Sequence, residues 1–347
     1  MRALLLSKYR QFELAEMARP PIGDDEILIR VEACGICGSD VHGFDGSSGR
    51  RIPPIVMGHE AAGTVAAVGS AVRGFKENDR VTFDSTIYCG ACANCKRGNG
   101  NLCDNRQVLG VSCNEYRRAG AFAEYVAVPA RIAYRLPDSI SFAEASMLEA
   151  VAVALHGVKL AQLQPENSAL VIGAGTIGLL TLQALRAEGC KQVFIVDVDA
   201  TRLKRATELG ATEAIMADTD PVPKLLNLTA GAGVDVAIEA VGKTGTIGVA
   251  IKAVRKGGTV ALVGNISPEV TIPLQSVVSR QIRLQGSCAS SGEYPRAIEL
   301  MAQGAIRVKD MISAVAPLED GPQWFERLYA GEPNLMKVVL TPGHSRG

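Results

Sequence analysis

Three groups of residues in this 347-residue chain have the types and spacing that chemistry needs. Cys89, Cys92, Cys95 and Cys103 crowd into one stretch whose turns are eased by Gly90, Gly98 and Gly100. Four thiolates close a tetrahedral metal site and leave no position open. The spacing therefore predicts a structural zinc lobe, over about residues 88–104, that cannot itself bind substrate. Reduced free thiols in a loop are the plainer alternative. A nucleic-acid-reading zinc module is a poorer one, because the only cations here are Lys96, Arg97 and Arg106 and there is no histidine ligand.

The second group is scattered. ACGICGSDVHG holds Cys37, Ser39, Asp40 and His42; MGHEAAG holds His59 and Glu60; MLEAVAVALH holds Glu149 and His156. A cysteine, a histidine and a carboxylate can hold zinc while leaving a position for water or substrate, which is what Lewis-acid catalysis requires. Spacing alone does not bring Cys37, His59 and Glu149 together. Each also fits a plainer role: a small core residue, a hydrogen-bonded loop histidine, a charge on a helix face. His156, seven residues after Glu149, fits packing between domains better than ligation, and His344 sits in the tail.

The third group is Gly173-Ala-Gly175-Thr176-Ile177-Gly178, after an apolar run and before a helical one. Here the first glycine permits the tight turn, the second lets backbone approach a pyrophosphate, and the third lets helix and strand pack closely. Asp197 ends the next apolar run, where a carboxylate would bind ribose hydroxyls and repel a 2′-phosphate, so NAD is expected over NADP. Arg202, five residues on, weakens that preference.

These groups need a scaffold. At roughly 100–200 residues per domain the length suggests two. Residues 1 to about 135 read as β-rich, with EILIRVEAC, GTVAAVG, RVTF and AFAEYVAV separated by turn residues. From about residue 140 the pattern changes to strands alternating with helices, which means βαβ units and a parallel sheet. In this reading TIGVAIKAVRKG is a helix, IRLQGSCA a strand, YPRAIELMAQG a helix, and KVVLTP a final strand that returns to the first domain. Lys plus Arg equals Asp plus Glu at 36 each, so no basic field recruits nucleic acid or an anionic membrane; only Arg50-Arg51 and Arg117-Arg118 form basic pairs. The longest apolar stretch, near 169–185, is cut by glycines, and a soluble cytoplasmic protein is expected. Nine cysteines, clustered and odd in number, point to metal rather than disulfides.

On GICGSDVH, GHEAAG, the CxxCxxCx7C lobe and GAGTIG, the chain resembles the medium-chain, zinc-dependent dehydrogenase/reductase family, essentially end to end and in order. It is most similar to the sorbitol, polyol-phosphate and threonine dehydrogenase branch, whose marker is Glu149 in LEAVAVALH. The resemblance implies an α/β fold: a Rossmann doubly wound parallel sheet over 151–286 and a β-rich, chaperonin-10-like catalytic domain from 1–150 and 287–347. It implies two zinc ions per chain. Cys37, His59 and Glu60 would hold the catalytic one, with Glu149 joining directly or through water, and Cys89, Cys92, Cys95 and Cys103 the structural one. Asp40 would accept a hydrogen bond from His59, and a proton relay would run from Ser39 through the cofactor ribose to His42. Gly173, Gly175, Thr176, Ile177, Gly178, Asp197 and Arg202 would bind NAD, and Val263 to Ile266, including Asn265, and Ser287 to Ala289, including Cys288, would flank the nicotinamide.

The implied activity is NAD-linked, reversible oxidation of a secondary alcohol of a polyol or sugar-type substrate to the ketone. A polyol phosphate or a threonine-type substrate is the alternative, and a zinc-free reductase or a non-catalytic relative on the same fold is the alternative of another class. Where sorbitol-type members carry an arginine–tyrosine pair, this chain reads GSCASSGEYP, a departure that puts sorbitol itself in doubt. Arg117 and Arg118 could meet a sugar phosphate, and Cys113 could line the pocket. A homodimer or homotetramer is expected, with an edge strand near Val270 to Leu274 as the candidate seam.

Overall fold

A computed structural model of the protein describes residues 1–111, 117–164 and 166–343, and only the backbone of Arg117. Cys113 and His344 lie outside the described residues. The chain divides into two compact units. The first is Met1–Glu149, Tyr294–Ala302 and Val308–Gly347; the second is Ala150–Glu293 and Gln303–Arg307.

In the first unit a seven-stranded sheet is built on β1 (Glu26–Gly35). Ile27, Ile29, Val31 and Ala33 alternate inward with partly exposed neighbours, the period-two pattern of a half-buried strand. After β1 the chain makes a short helix, α1 (Gly38–Phe44), and returns in β2 (Glu60–Val68), antiparallel to β1 with Gly35 opposite Glu60. The last strand, Lys337–Thr341, also pairs with β1, as the sequence led us to expect of KVVLTP. The helix α2 (Leu148–Leu160) carries the chain out of this unit.

The second unit is a six-stranded, all-parallel sheet. It contains β3 (Ser168–Ile172), which leads into α3 (Thr176–Ala187), and β4 (Gln192–Asp197). Across the sheet the order is Glu213–Met216, β4, β3, Val234–Glu239, Val254–Leu262, Arg283–Gly286. Numbered along the chain this is 3-2-1-4-5-6, the doubly wound order. The central β3 is buried along nearly its whole length because helices cover both faces.

Two local readings are corrected. The helix read through VRKG ends at Ala253, because Val254 turns extended and pairs with Val234 as the first residue of a buried strand. Residues 270–273 form no strand, and Leu274 opens a short helix after Pro273, which has no N–H to give a ladder. The sheet's edges are instead Glu213–Met216 and Arg283–Gly286. No described helix is long and apolar enough to cross a membrane.

Candidate active site

Cys37 follows the end of β1 and His59 precedes the start of β2, so the antiparallel register that pairs Gly35 with Glu60 brings residues twenty-odd positions apart to one place. Glycine makes the approach possible. A Cβ on Gly35 would lie 2.6 Å from Glu60 Oε2, and one on Gly58 would lie 2.8 Å from the Phe122 amide. Cys37, His59 and Glu60 each offer one ligand atom, and these atoms lie within 4.8 Å of one another. Cys37 also caps α1, and Asp40, three residues on, returns Oδ2 to the Cys37 amide at 3.3 Å.

The charges around this cluster are buried and mostly paired. Asp40 is fully buried, with Arg51 Nη2 at 3.0 Å from its Oδ1 and His59 Nδ1 at 3.4 Å. Burial opposes its ionisation, but His59 and Arg51 hold the carboxyl well below the usual carboxylate range. His59 Nδ1 is itself buried without a well-aligned hydrogen bond among the described residues. Glu60 accepts from Lys337 Nζ at 2.5 Å, and Lys337 also donates to the Ile36 carbonyl at 3.2 Å. Burial works against the lysine's charge, and the negative groups around it, Glu60 foremost, together outweigh it. Glu149 is outside the three-residue cluster and has no ion-pair partner among the described residues, yet it lies close enough to feel the charges of His59 and Glu60. Burial, opposed by His59 and reinforced by Glu60 and Asp84, pushes its carboxyl up to about 7.

This donor set fits a divalent metal: a thiol, an imidazole and carboxylates converge where the resident cations already have partners. Ser39 and His42 sit on the exposed side of α1, three residues apart and hence on one face, while Asp40 points inward.

In the lobe, all four sulfurs lie within the same 4.8 Å limit. Backbone amides aim at them: Ala91 and Cys92 at Cys89 Sγ (both 3.4 Å), Cys95 at Cys92 Sγ (3.5 Å), Cys89 and Asn105 at Cys103 Sγ (3.2 and 3.3 Å). The amides of Ala91 and Cys92 bring the Cys89 thiol down to about 6, whereas burial and neighbouring sulfur push Cys95 up to about 12. Four thiols this close cannot all ionise without a cation among them, so the lobe too fits a metal.

In the second unit, the Gly173–Gly178 turn joins β3 to α3. Gly173 has φ +96, and a Cβ on Gly178 would lie 1.6 Å from the Gly173 carbonyl oxygen. Gly175 is different: its φ is −73, and a Cβ there would meet nothing within 4 Å. The fold does not need a glycine at 175, but a ligand lying on the loop would. Asp197, at the end of β4, accepts the Ala174 amide at 2.5 Å and the Asp199 amide at 2.9 Å, which leaves each carboxylate oxygen a further lone pair. Arg202 pairs with Asp199 at 3.7 Å. Val263 and Asn265 follow the strand Val254–Leu262, and Cys288 is exposed beyond Arg283–Gly286. All of these lie at the carboxyl ends of the parallel strands, where doubly wound sheets bind ligands.

Other expectations land elsewhere. His156 belongs to the second unit, buried with Nδ1 at 3.1 Å from Glu293 Oε1, and takes no part in either sulfur-containing cluster. Arg118 is committed to Glu26 and to the Ala127 carbonyl. Three residues were missed by sequence reasoning: Arg51, Lys337 and Glu239. Glu239 is wholly buried; its carboxylate accepts the Val241 and Gly242 amides and its carbonyl accepts those of Val263 and Gly264, joining two loops at the strand ends. The available signals were half of a basic pair and charges at the ends of apolar runs.

Residues 23–138 match an alcohol dehydrogenase GroES-like domain and residues 176–303 a zinc-binding dehydrogenase domain. Sorbitol dehydrogenase of Bacillus subtilis (strain 168) is 33% identical over 347 residues, covering 99% of this chain and 97% of that protein. A solved structure from Sinorhizobium meliloti 1021 bound to NADP superposes with a TM-score of 0.88 at 33% identity, covering 98% of this chain and 99% of its own. An alcohol dehydrogenase from Escherichia coli CFT073 complexed with NADH does so with a TM-score of 0.91 at 27% identity, covering 98% and 99%. With both units matched and a relative at one-third identity along the whole chain, the protein belongs to the zinc-binding medium-chain alcohol and polyol dehydrogenase family of oxidoreductases.

Proposed function

We propose that the protein is a zinc-dependent, NAD-linked dehydrogenase that reversibly oxidises a secondary alcohol of a polyol or sugar-type substrate to the ketone. The observation that bears most weight is the convergence of Cys37, His59 and Glu60 beside a helix that presents Ser39 and His42. Cys37, His59 and Glu60, with Glu149 near them, would hold one zinc, and Cys89, Cys92, Cys95 and Cys103 a second. Zinc at the open cluster would supply Lewis acidity that lowers the pKa of the substrate hydroxyl.

The chain's own residues supply the rest. Ser39 Oγ takes the substrate's proton as it releases its own, and His42, exposed one helical turn on, passes a proton to solvent. Asp40 lies behind the ring of His59, 3.4 Å from Nδ1, and would orient it once the ring binds metal through its other nitrogen. In the second unit the Gly175 backbone and the N-terminus of α3 would cradle a pyrophosphate, and Asp197 would take the ribose hydroxyls. Its carboxylate, with Arg202 already paired to Asp199, supports NAD over NADP. A phosphorylated substrate has less support, because the Arg118 guanidinium is occupied by Glu26.

A cytoplasmic homodimer or homotetramer belongs to the same proposal. Ile266, Val270, Leu274 and Val278 expose apolar side chains along one segment of the second unit, which suits association. The test is a panel of polyols, sugar phosphates and amino alcohols followed by NADH absorbance, repeated with NADP, alongside a zinc assay. Turnover of polyols with NAD at about two zinc ions per chain is expected; protein that binds no zinc, or turns over none of the panel, would overturn the assignment.

A further inference from the structure

Arg51 is one of the most deeply buried charges in the first unit, with a side chain 4% exposed. Its path is unusual. A Cβ on Gly43 would lie 2.1 Å from Arg51 Cγ and 2.9 Å from its Cβ, so the arginine stem lies flat on α1 where Gly43 presents no side chain. From there it runs toward the start of the helix and ends on the residues three and four positions back, which share that face. Nε and Nη2 reach Asp40 Oδ1 at 3.3 and 3.0 Å, and the same Nη2 donates to Ser39 Oγ at 3.2 Å. Asp40 is meanwhile fixed by the Cys37 amide on its other oxygen. One guanidinium thus spans the buried carboxylate and the exposed hydroxyl.

We propose that Arg51 is a positioning residue that sets the Ser39 hydroxyl in the orientation needed to pass a proton. This rests on the reading of Ser39 as the hydroxyl that receives the substrate proton. A serine hydroxyl has one proton and two lone pairs. Arg51 occupies one lone pair with a charged donor that cannot be withdrawn, since a guanidinium stays protonated. One lone pair and one proton remain. Those are what a relay step uses: the free lone pair takes the proton leaving the substrate hydroxyl while the Ser39 proton departs on the other side, so that the hydroxyl ends as it began. Without Arg51 the rotor has other wells, and its lone pairs have no fixed direction. The anchoring is rigid because the fork is held at two points, on Asp40 and on Ser39, and its stem is pinned against Gly43. A lysine keeps the charge but not the fork.

The experiment is a double-mutant cycle on the zinc-loaded full chain, using whichever alcohol and cofactor the panel identifies. The variants are Arg51→Lys, Ser39→Ala and the pair. Zinc content, melting temperature and NADH affinity are measured for each, so that a loss of metal or fold is seen directly. If Arg51 acts through Ser39, Arg51→Lys lowers kcat at least about tenfold with KM little changed, and has almost no further effect once Ser39 is alanine. An equal loss in both backgrounds means that the arginine only supports the fold, and overturns the proposal while leaving the Ser39 relay standing. Full turnover by Ser39→Ala removes the relay reading and the proposal with it. Should Arg51→Lys fail to fold, Gly43→Ala decides: it displaces the stem without removing a polar group. Reduced kcat with zinc content and NADH affinity kept supports the proposal, and wild-type kcat overturns it.

Discussion

The glycine loop allows fold and ligand demands to be separated by two alanines placed three residues apart. At Gly178 the fold itself excludes a side chain. A Cβ would sit 1.6 Å from the Gly173 carbonyl oxygen and 2.8 Å from its carbon, so turn and helix would have to part by about 1.8 Å or more to restore ordinary contact. Overpacking of that kind costs about 1–3 kcal/mol. At about 2–4 °C per kcal/mol for a unit of this size, Gly178→Ala should melt roughly 2–12 °C lower. Gly175→Ala should behave differently. Its φ of −73 suits alanine, and the new methyl meets nothing within 4 Å. Losing glycine as the N-cap of α3 costs up to about 1 kcal/mol, and the reduced freedom of the unfolded chain returns about 0.4–1 kcal/mol, so the melting temperature should barely move. The methyl does stand on the face where a pyrophosphate would meet backbone amides. NADH affinity, followed by fluorescence titration, should therefore fall at least about tenfold, or about 1.4 kcal/mol, in a protein of normal stability. Wild-type NADH affinity in Gly175→Ala would refute the reasoning, because no phosphate could then be lying on that loop. Equal destabilisation by both alanines would refute the packing half of it.

Other outcomes follow from the buried charges and the sulfur sites. Lys337→Met in metal-free protein leaves Glu60 buried without its cation and should cost about 3–5 kcal/mol in urea unfolding; adding Glu60→Gln should recover most of it. Glu293 is pulled two ways: burial would raise its carboxyl, but His156, Lys159 and the Ser291 amide hold it down to about 2. A lowered carboxyl stabilises above its unfolded value of 4.5 and loses that contribution as pH falls toward 2. The gap in unfolding free energy, from urea titration, between wild type and Glu293→Gln, about 1–2 kcal/mol at pH 6 after allowance for the solvent-exposed Lys159, should therefore shrink between pH 5 and pH 2. Cys37→Ala should abolish turnover, while Cys103→Ala should lower zinc content by one ion per chain and mainly lower the melting temperature.

What could be read without coordinates was local. The cysteine lobe spans one loop and the glycine turn one strand–helix junction, so spacing determines their geometry. The open cluster is not local: Cys37 and His59 meet only because Gly35 pairs with Glu60, a register that sequence does not state. Arg51 was visible as half of a basic pair, but its role depends on a stem laid over Gly43, and neither residue declares the other. Lys337 was read as the start of a strand; its partner Glu60 lies at the other end of the chain, and only the pairing of the last strand with β1 puts them together. Near Val270 an edge strand was expected by analogy with how relatives assemble, and Pro273 with the short helix after it prevailed.

The arrangement of charge links these observations. Around Cys37 the first unit gathers three carboxylates, those of Asp40 and Glu60 buried and that of Glu149 partly buried. Ion pairs in such a place do not earn their position through stability, since well-packed apolar side chains of similar volume would commonly serve as well or better. Their positions suggest another reason. Arg51 answers Asp40 and touches Ser39; Lys337 answers Glu60 and touches the Ile36 carbonyl beside Cys37. Each cation thus holds a residue that would bind metal or move a proton, and neither is itself at the reacting atoms. Glu149 has no cation assigned to it, and burial keeps its carboxyl near neutral pH in its titration. A divalent ion held by Cys37, His59 and Glu60 would add a further positive charge beside this carboxyl, which has no ion-pair partner of its own among the described residues.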